Sequence, residues 1–235
     1  MQVRKYVMLA VVYTVVVAAF LGISWCTSEA VSYMAQEIPL ERHHTIVIDA
    51  GHGGEDGGAT SCSGVLESII NLQIAQQLND LLHLLGYQTV MVRTDDRSVY
   101  TQGNTIAQKK ASDLKERVHL VNKTEHALLV SIHQNTFSDG RYHGAQVFYG
   151  PKGESRTLAE QLQTAFCQTI NPGSNRGIKK ADGIYLMQHI DCTGVLIECG
   201  FLSNPEEDRL LKTKAYQQKL NCVIAGTLSQ FLTDG

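Results

Sequence analysis

Residues 45 to 58 read TIVIDAGHGGEDGG. The first six are an apolar, largely β-branched run that ends at a glycine, which is the pattern of a short buried strand. The next glycines allow a sharp turn and a close backbone approach to a ligand, and His52 is the lone imidazole in that turn. A helix is predicted next, over residues 66 to 85: Leu66, Ile69, Ile70, Ile74, Leu78, Leu81 and Leu85 recur at helical spacing, and Gly86 supplies the stop.

The same alternation continues along the chain. YQTVMVRT (87 to 94), ALLVSIH (127 to 133), GAQVFYG (144 to 150) and GVLIE (194 to 198) read as strands. Residues 112 to 124 read as a helix with Leu114, Val118 and Val121 inward, and Ser155 to Ile170 as another. The last helix opens at Asn204-Pro205-Glu206-Glu207, a side-chain cap, a proline in the first turn and two acids near the positive end of the dipole. Strands alternating with helices over short connections predict an α/β fold, a three-layer-like sandwich whose largely parallel mixed sheet is flanked by helices. Sheets of that kind bind ligands at the carboxyl ends of their strands.

The chain has 235 residues, 43% hydrophobic and 18% charged, with a formal net charge of -3. No basic stripe interleaves with aromatics, so a nucleic-acid partner is not expected. Arg4 and Lys5 precede an uncharged apolar run over residues 6 to 23. That pattern directs the rest of the chain out of the cytoplasm, with 1–30 as a signal peptide or an N-terminal membrane anchor, 31–43 as a tether and 44–235 as the catalytic domain. Ser28-Glu29-Ala30 offers a cleavage site, and the run is also near the shortest length that spans a bilayer. The location is therefore extracytoplasmic, secreted or membrane-anchored. Cys26 follows Trp25, where lipid attachment wants a small residue. Of the other five cysteines, Cys199 and Cys222 lie in apolar contexts typical of buried thiols, and at most one disulfide is expected.

Three predicted strand ends carry a candidate ligand or acid: His52, His133 and Glu198. Glu67 begins the helix after the first strand and points back toward the same crevice, with Asn71 one turn later on the same face. Two histidines and one carboxylate are a common protein set for a catalytic zinc, which makes His52, Glu67 and His133 the candidate ligands of one Zn2+ per chain. Glu198, outside that set, is the candidate general base for water attacking a carbonyl. A nucleophilic Cys199 is the rival, but no histidine is placed to serve it and its apolar surroundings oppose a thiolate.

DAGHGG at 49 to 54, Glu67 with Asn71, SIHxN at 131 to 135 and VLIECGFLSNPEED at 195 to 208 resemble the zinc-dependent N-acetylmuramoyl-L-alanine amidases of the amidase-3 family. The resemblance runs from about residue 45 to 232. It implies an α/β sandwich, zinc held by His52, Glu67 and His133, a catalytic Glu198, and cleavage of the amide between muramic acid and L-alanine in peptidoglycan. The chain departs from the family pattern at Gln134, where SIHAN is usual, at Cys192-Thr193-Gly194, and at Val121 in Leu114, Arg117, Val121, Asn122. These departures point to substrate fit, Gln134 above all. The connection from Thr136 to His143 is too short for the blocking helix that some members carry. A signal or anchor plus a bare catalytic domain resembles the sporulation amidases that prepare spore cortex for muramic δ-lactam. Some amidases of this type require an activating protein partner.

Overall fold

The computed structural model describes residues 44–234. The expected signal or anchor and the tether lie outside the described residues. No helix among the described residues is long and apolar enough to cross a membrane.

The elements are β1 (Thr45–Ala50), α1 (Glu67–Leu84), β2 (Gln88–Met91), α2 (Ile106–Lys123), β3 (Ala127–Asn135), β4 (Gln146–Tyr149), α3 (Ser155–Thr169), β5 (Lys179–Lys180), α4 (Tyr185–His189), β6 (Thr193–Phe201), α5 (Pro205–Leu211) and α6 (Lys214–Asp234). One six-stranded sheet has the order β2-β1-β3-β6-β4-β5. Neighbours among β2, β1, β3 and β6 run parallel, whereas β4 is antiparallel to β6 and carries β5 parallel to itself. This is the largely parallel mixed sheet expected from the sequence.

Alternation along each strand divides the core between the two faces. Ile46, Ile48, Leu128, Val130, Val195 and Ile197 join one buried cluster with Ile70, Ile74, Leu158, Leu162, Ile224 and Leu228 of α1, α3 and α6. Val47, Leu129 and Leu196 join a smaller cluster on the other face with Val121 of α2 and Leu186 and Met187 of α4. Parity then continues past the apolar residues. On the second face Val47 is succeeded by Asp49, Leu129 by Ser131 and His133, and Leu196 by Glu198, so polar side chains emerge together at the carboxyl ends of three parallel strands. In register, His133 lies opposite Glu198 and Glu198 opposite Gln146.

Several boundaries differ from those the sequence predicts. Helix α2 begins six residues earlier than expected, because Thr105 and Gln108 form a capping box, each side chain bonding the other's backbone N–H. Its most deeply buried residues are Val121 and Arg117, while Leu114 and Val118 are half-buried. Asn204 caps α5 as expected, accepting from the N–H groups of Glu206 and Glu207 at 3.0 Å each, but the final helix is two helices with a break before Lys214. Strand β5 and helix α4 are too short to leave a periodic signal. All five cysteines among the described residues are free thiols; Cys199 is buried as expected, but Cys222 is exposed because Leu220, Ile224 and Leu228 occupy the inward face of α6.

Candidate metal centre

His52 stands just beyond β1 with a positive φ of 61°, a conformation that costs an L-residue roughly 1–2 kcal/mol. Two buried arginines hold the turn in place. Arg93 donates to the carbonyls of Ala50 (2.8 Å), Gly51 (3.0 Å) and Ser68 (2.8 Å). Arg117 donates to the carbonyls of Ala50 (3.0 Å) and His52 (2.8 Å) and pairs with Asp49 at 2.5 Å and Asp113 at 2.6 Å. Three consecutive carbonyls at the end of β1 are thus fixed by guanidinium groups, and Ser131 adds a 2.6 Å bond to Asp49. Burial pushes the Asp49 carboxyl up, but the Arg117 charge and the Ser131 hydroxyl outweigh it and leave Asp49 below the ordinary carboxylate range.

The imidazole of His52 is oriented by Asp56, whose Oδ2 lies 3.0 Å from Nδ1; Nε2 therefore faces Glu67, 3.3 Å from its Oε2. His133 presents the opposite nitrogen, with Nδ1 3.0 Å from Glu67 Oε1. The two rings meet edge to face with centroids 5.0 Å apart. One donor atom from each of His52, Glu67 and His133 falls within 4.8 Å of the others. Burial alone would raise the Glu67 carboxyl, yet its hydrogen bonds to His133 and His52 hold it well below the usual range.

Glu67 is itself held in place by backbone and amide donors. The Ala59 N–H bonds Oε2 at 3.0 Å, while the Gln134 N–H at 3.1 Å and Asn71 Nδ2 at 3.2 Å bond Oε1. Gln134 is buried and donates through Nε2 to Asn71 Oδ1 at 3.2 Å. The departure at this position therefore acts on the support of Glu67 and not on substrate fit: β3 alternation turns residue 134 into the core while His133 faces the cleft.

Glu198 lies opposite His133 and completes the group that the sequence singled out. Its Oε2 is buried without a hydrogen-bond partner among the described residues. Burial, with the nearby Glu67 charge adding to it against the pull of His133, pushes its pKa up to about 7. Proton uptake and release by this carboxyl thus fall near neutrality. Cys199, the rival nucleophile, is fully buried on the opposite face, and burial raises its thiol far from any thiolate.

These residues fit a zinc ion. Two imidazole nitrogens and a carboxylate oxygen converge in one place, a donor set suited to zinc. The glycines maintain that space. A Cβ on Gly51 would overlap the His133 ring, and one on Gly58 would meet Glu67 and His52 at 2.6–2.9 Å. The sequence identified the four residues that converge, but not Arg93, Arg117, Asp49 or Asp56 as their supports. An arginine on the inward Leu114-Arg117-Val121 stripe was the available signal, since a buried guanidinium requires a buried acid.

The sequence and the fold both resemble those of known proteins. Residues 46–230 match the Amidase_3 family model, N-acetylmuramoyl-L-alanine amidase. The germination-specific N-acetylmuramoyl-L-alanine amidase of Bacillus subtilis is 37% identical over 193 residues, covering 81% of each chain. The CwlD amidase from Clostridioides difficile, solved in complex with the GerS lipoprotein, superposes with a TM-score of 0.78 at 36% identity over 81% of this chain and 99% of that one. An N-acetylmuramoyl-L-alanine amidase from Clostridium difficile 630 gives a TM-score of 0.70 at 31% identity, over 82% and 98%. The chain belongs to the N-acetylmuramoyl-L-alanine amidase family, hydrolases of peptidoglycan.

Proposed function

We propose that this protein is a zinc-dependent amidase that frees stem peptides from muramic acid during spore cortex maturation. The observation that carries the zinc reading is the convergence of His52, Glu67 and His133 within 4.8 Å beside a buried, unpartnered Glu198 oxygen. His52 Nε2, a Glu67 oxygen and His133 Nδ1 would hold the ion, with Asp56, Asn71 and the Gln134 N–H orienting them. Bound there, zinc supplies Lewis acidity toward the amide carbonyl and a nearby water.

The remaining work falls to the chain. Glu198, whose carboxyl burial pushes up to about 7, takes a proton from the attacking water as the water oxygen bonds to the lactyl carbonyl carbon. The protonated Glu198 then delivers that proton to the nitrogen of L-alanine as the C–N bond breaks. The products are a lactyl carboxylate on the glycan and a peptide with a free amino terminus. Dry surroundings keep the Glu198 carboxyl poised for both transfers.

The cortex role is supported by the germination-specific relative, and an accessory protein partner by the lipoprotein bound to the C. difficile relative. Export as a secreted or anchored chain is supported by the uncharged run at 6–23 behind Arg4 and Lys5. Glu198→Gln tests the mechanism, since it keeps the shape and removes the base. Zinc is expected to remain bound while kcat falls by roughly 10²–10⁴-fold. Unchanged turnover would remove Glu198 from this role.

A further inference from the structure

Cationic side chains lie on both sides of the site and most are paired: on the β5 side Arg141 pairs with Asp139 at 2.7 Å and Lys180 with Asp182 at 3.3 Å. Behind His52, Lys109 pairs with Glu55 at 2.8 Å and Lys110 with Asp56 at 3.2 Å. Beyond Glu198, among the described residues, Arg176 and Lys179 have no carboxylate within ion-pair distance. Arg176 is instead positioned by neutral groups: Nε donates to the His143 carbonyl at 2.7 Å, Nη1 to Gln146 Oε1 at 3.0 Å, and the guanidinium lies 4.6 Å over the Phe201 ring. The Glu207 carboxylate acts on it only from beyond ion-pair distance, its oxygens being taken by the N–H groups of Gly144 and Phe201.

The sheet register ties both cations to the reacting centre. Gln146, which bonds Arg176, lies directly opposite Glu198 in the antiparallel β4–β6 pair, so their side chains share a face. Lys179 lies opposite Phe148, and Phe148 opposite Leu196, which places Lys179 on that same face two strands away and two residues back from Glu198. With strands about 4.8 Å apart and about 3.3 Å per residue, the Lys179 and Glu198 Cα atoms are about 12 Å apart. A lysine side chain covers roughly half of that distance and an extended peptide advances about 3.3 Å per residue. A carboxylate one or two residues beyond the scissile L-alanine falls within reach. Arg176 also borders an open depression of about 580 Å3, with Tyr142 and the Arg141–Asp139 ion pair on its rim, that leaves room for the rest of a peptide.

We propose that Arg176 and Lys179 form a carboxylate subsite for the stem peptide, on the leaving-amine side of the scissile bond. This rests on the amidase reading. The muramoyl half is uncharged next to the scissile amide, so two cations without ion-pair partners would have nothing to recognise there, whereas acidic residues of the peptide supply the complementary charge. The pair thereby fixes the direction in which substrate lies across Glu198, with glycan toward the His52 loop and peptide toward β5.

The test uses the zinc-loaded full chain and two synthetic substrates, MurNAc-L-Ala-D-Glu with free carboxylates and the same compound as its diamide. The wild type is expected to prefer the acid in kcat/KM, through KM, and to lose that preference as salt is raised. Lys179→Gln should lower the acid-to-diamide ratio about threefold, the double change with Arg176→Gln about tenfold, and Lys179→Arg should restore it. Absence of a wild-type preference, or a ratio unchanged in the double variant, overturns the subsite while leaving the amidase intact. Failure of the wild type to cleave either compound or purified peptidoglycan refutes the amidase reading itself, and the subsite with it.

Discussion

Replacing Gly51 by alanine introduces a single methyl group at the carboxyl end of β1, and the geometry dictates where the strain goes. The new Cβ would overlap three atoms of the His133 imidazole. The backbone at Gly51 cannot retreat, because its N–H bonds the Ile132 carbonyl at 3.0 Å and its own carbonyl accepts from Asn71 at 3.1 Å and Arg93 at 3.0 Å. The ring must therefore rotate, which takes Nδ1 away from the Glu67 side of the site. A structural zinc site with four ligands is worth roughly 10–16 kcal/mol, so one ligand contributes about 3 kcal/mol, or about a hundredfold in affinity. The fold itself loses less, about 1–3 kcal/mol for local overpacking. Competition titration with a chromophoric zinc chelator measures the affinity, and a thermal melt of the metal-free protein controls for folding. Wild-type zinc affinity in folded Gly51→Ala would refute the assignment of His133 as a ligand.

Two further perturbations probe the supports of the site. Asp56→Ala removes the acceptor of the His52 Nδ1 proton, and zinc affinity is expected to fall 10–100-fold with the four central residues intact; titration calorimetry checks this, and no change would mean that the ring is oriented by packing alone. Asp49→Asn leaves the buried Arg117 short of a countercharge and should cost about 3 kcal/mol at neutral pH by denaturant titration. Because the folded state holds the Asp49 pKa below its unfolded value, the pair's contribution is present above the ordinary carboxylate range and disappears as the pH drops through and below it. The wild type and Asp49→Asn should therefore converge in stability on acidification, and a constant gap down to about pH 2 would contradict this account.

Much of this architecture is legible in the sequence because period and position carry it. The apolar run at 45–50, the helical stripe from Leu66 to Leu85 and the Asn204-Pro205 start each encode an element locally. The four converging residues stand out because three of them end apolar runs, where a parallel sheet gathers its ligands. The remainder depends on contacts remote in the chain. The bond of Arg117 to the His52 carbonyl spans 65 residues, and neither partner marks the other locally. Gln134 reads as a substrate contact in the sequence and is a support of Glu67 in the structure, because residues next to a ligand on a strand face the opposite way and the core beneath β3 holds Asn71 there. The two-residue β5 takes its place from pairing with β4, which leaves no periodic trace, yet it carries Lys179 onto the face of the site.

Mass spectrometry of peptidoglycan treated with the metal-free and the zinc-reconstituted protein tests the central claim most directly. Zinc-reconstituted protein should release peptides that begin with a free L-alanine amino group, and metal-free protein should release essentially none until zinc is returned. Undiminished release without metal, or cleavage inside the stem peptide in place of the muramoyl amide, would contradict the account.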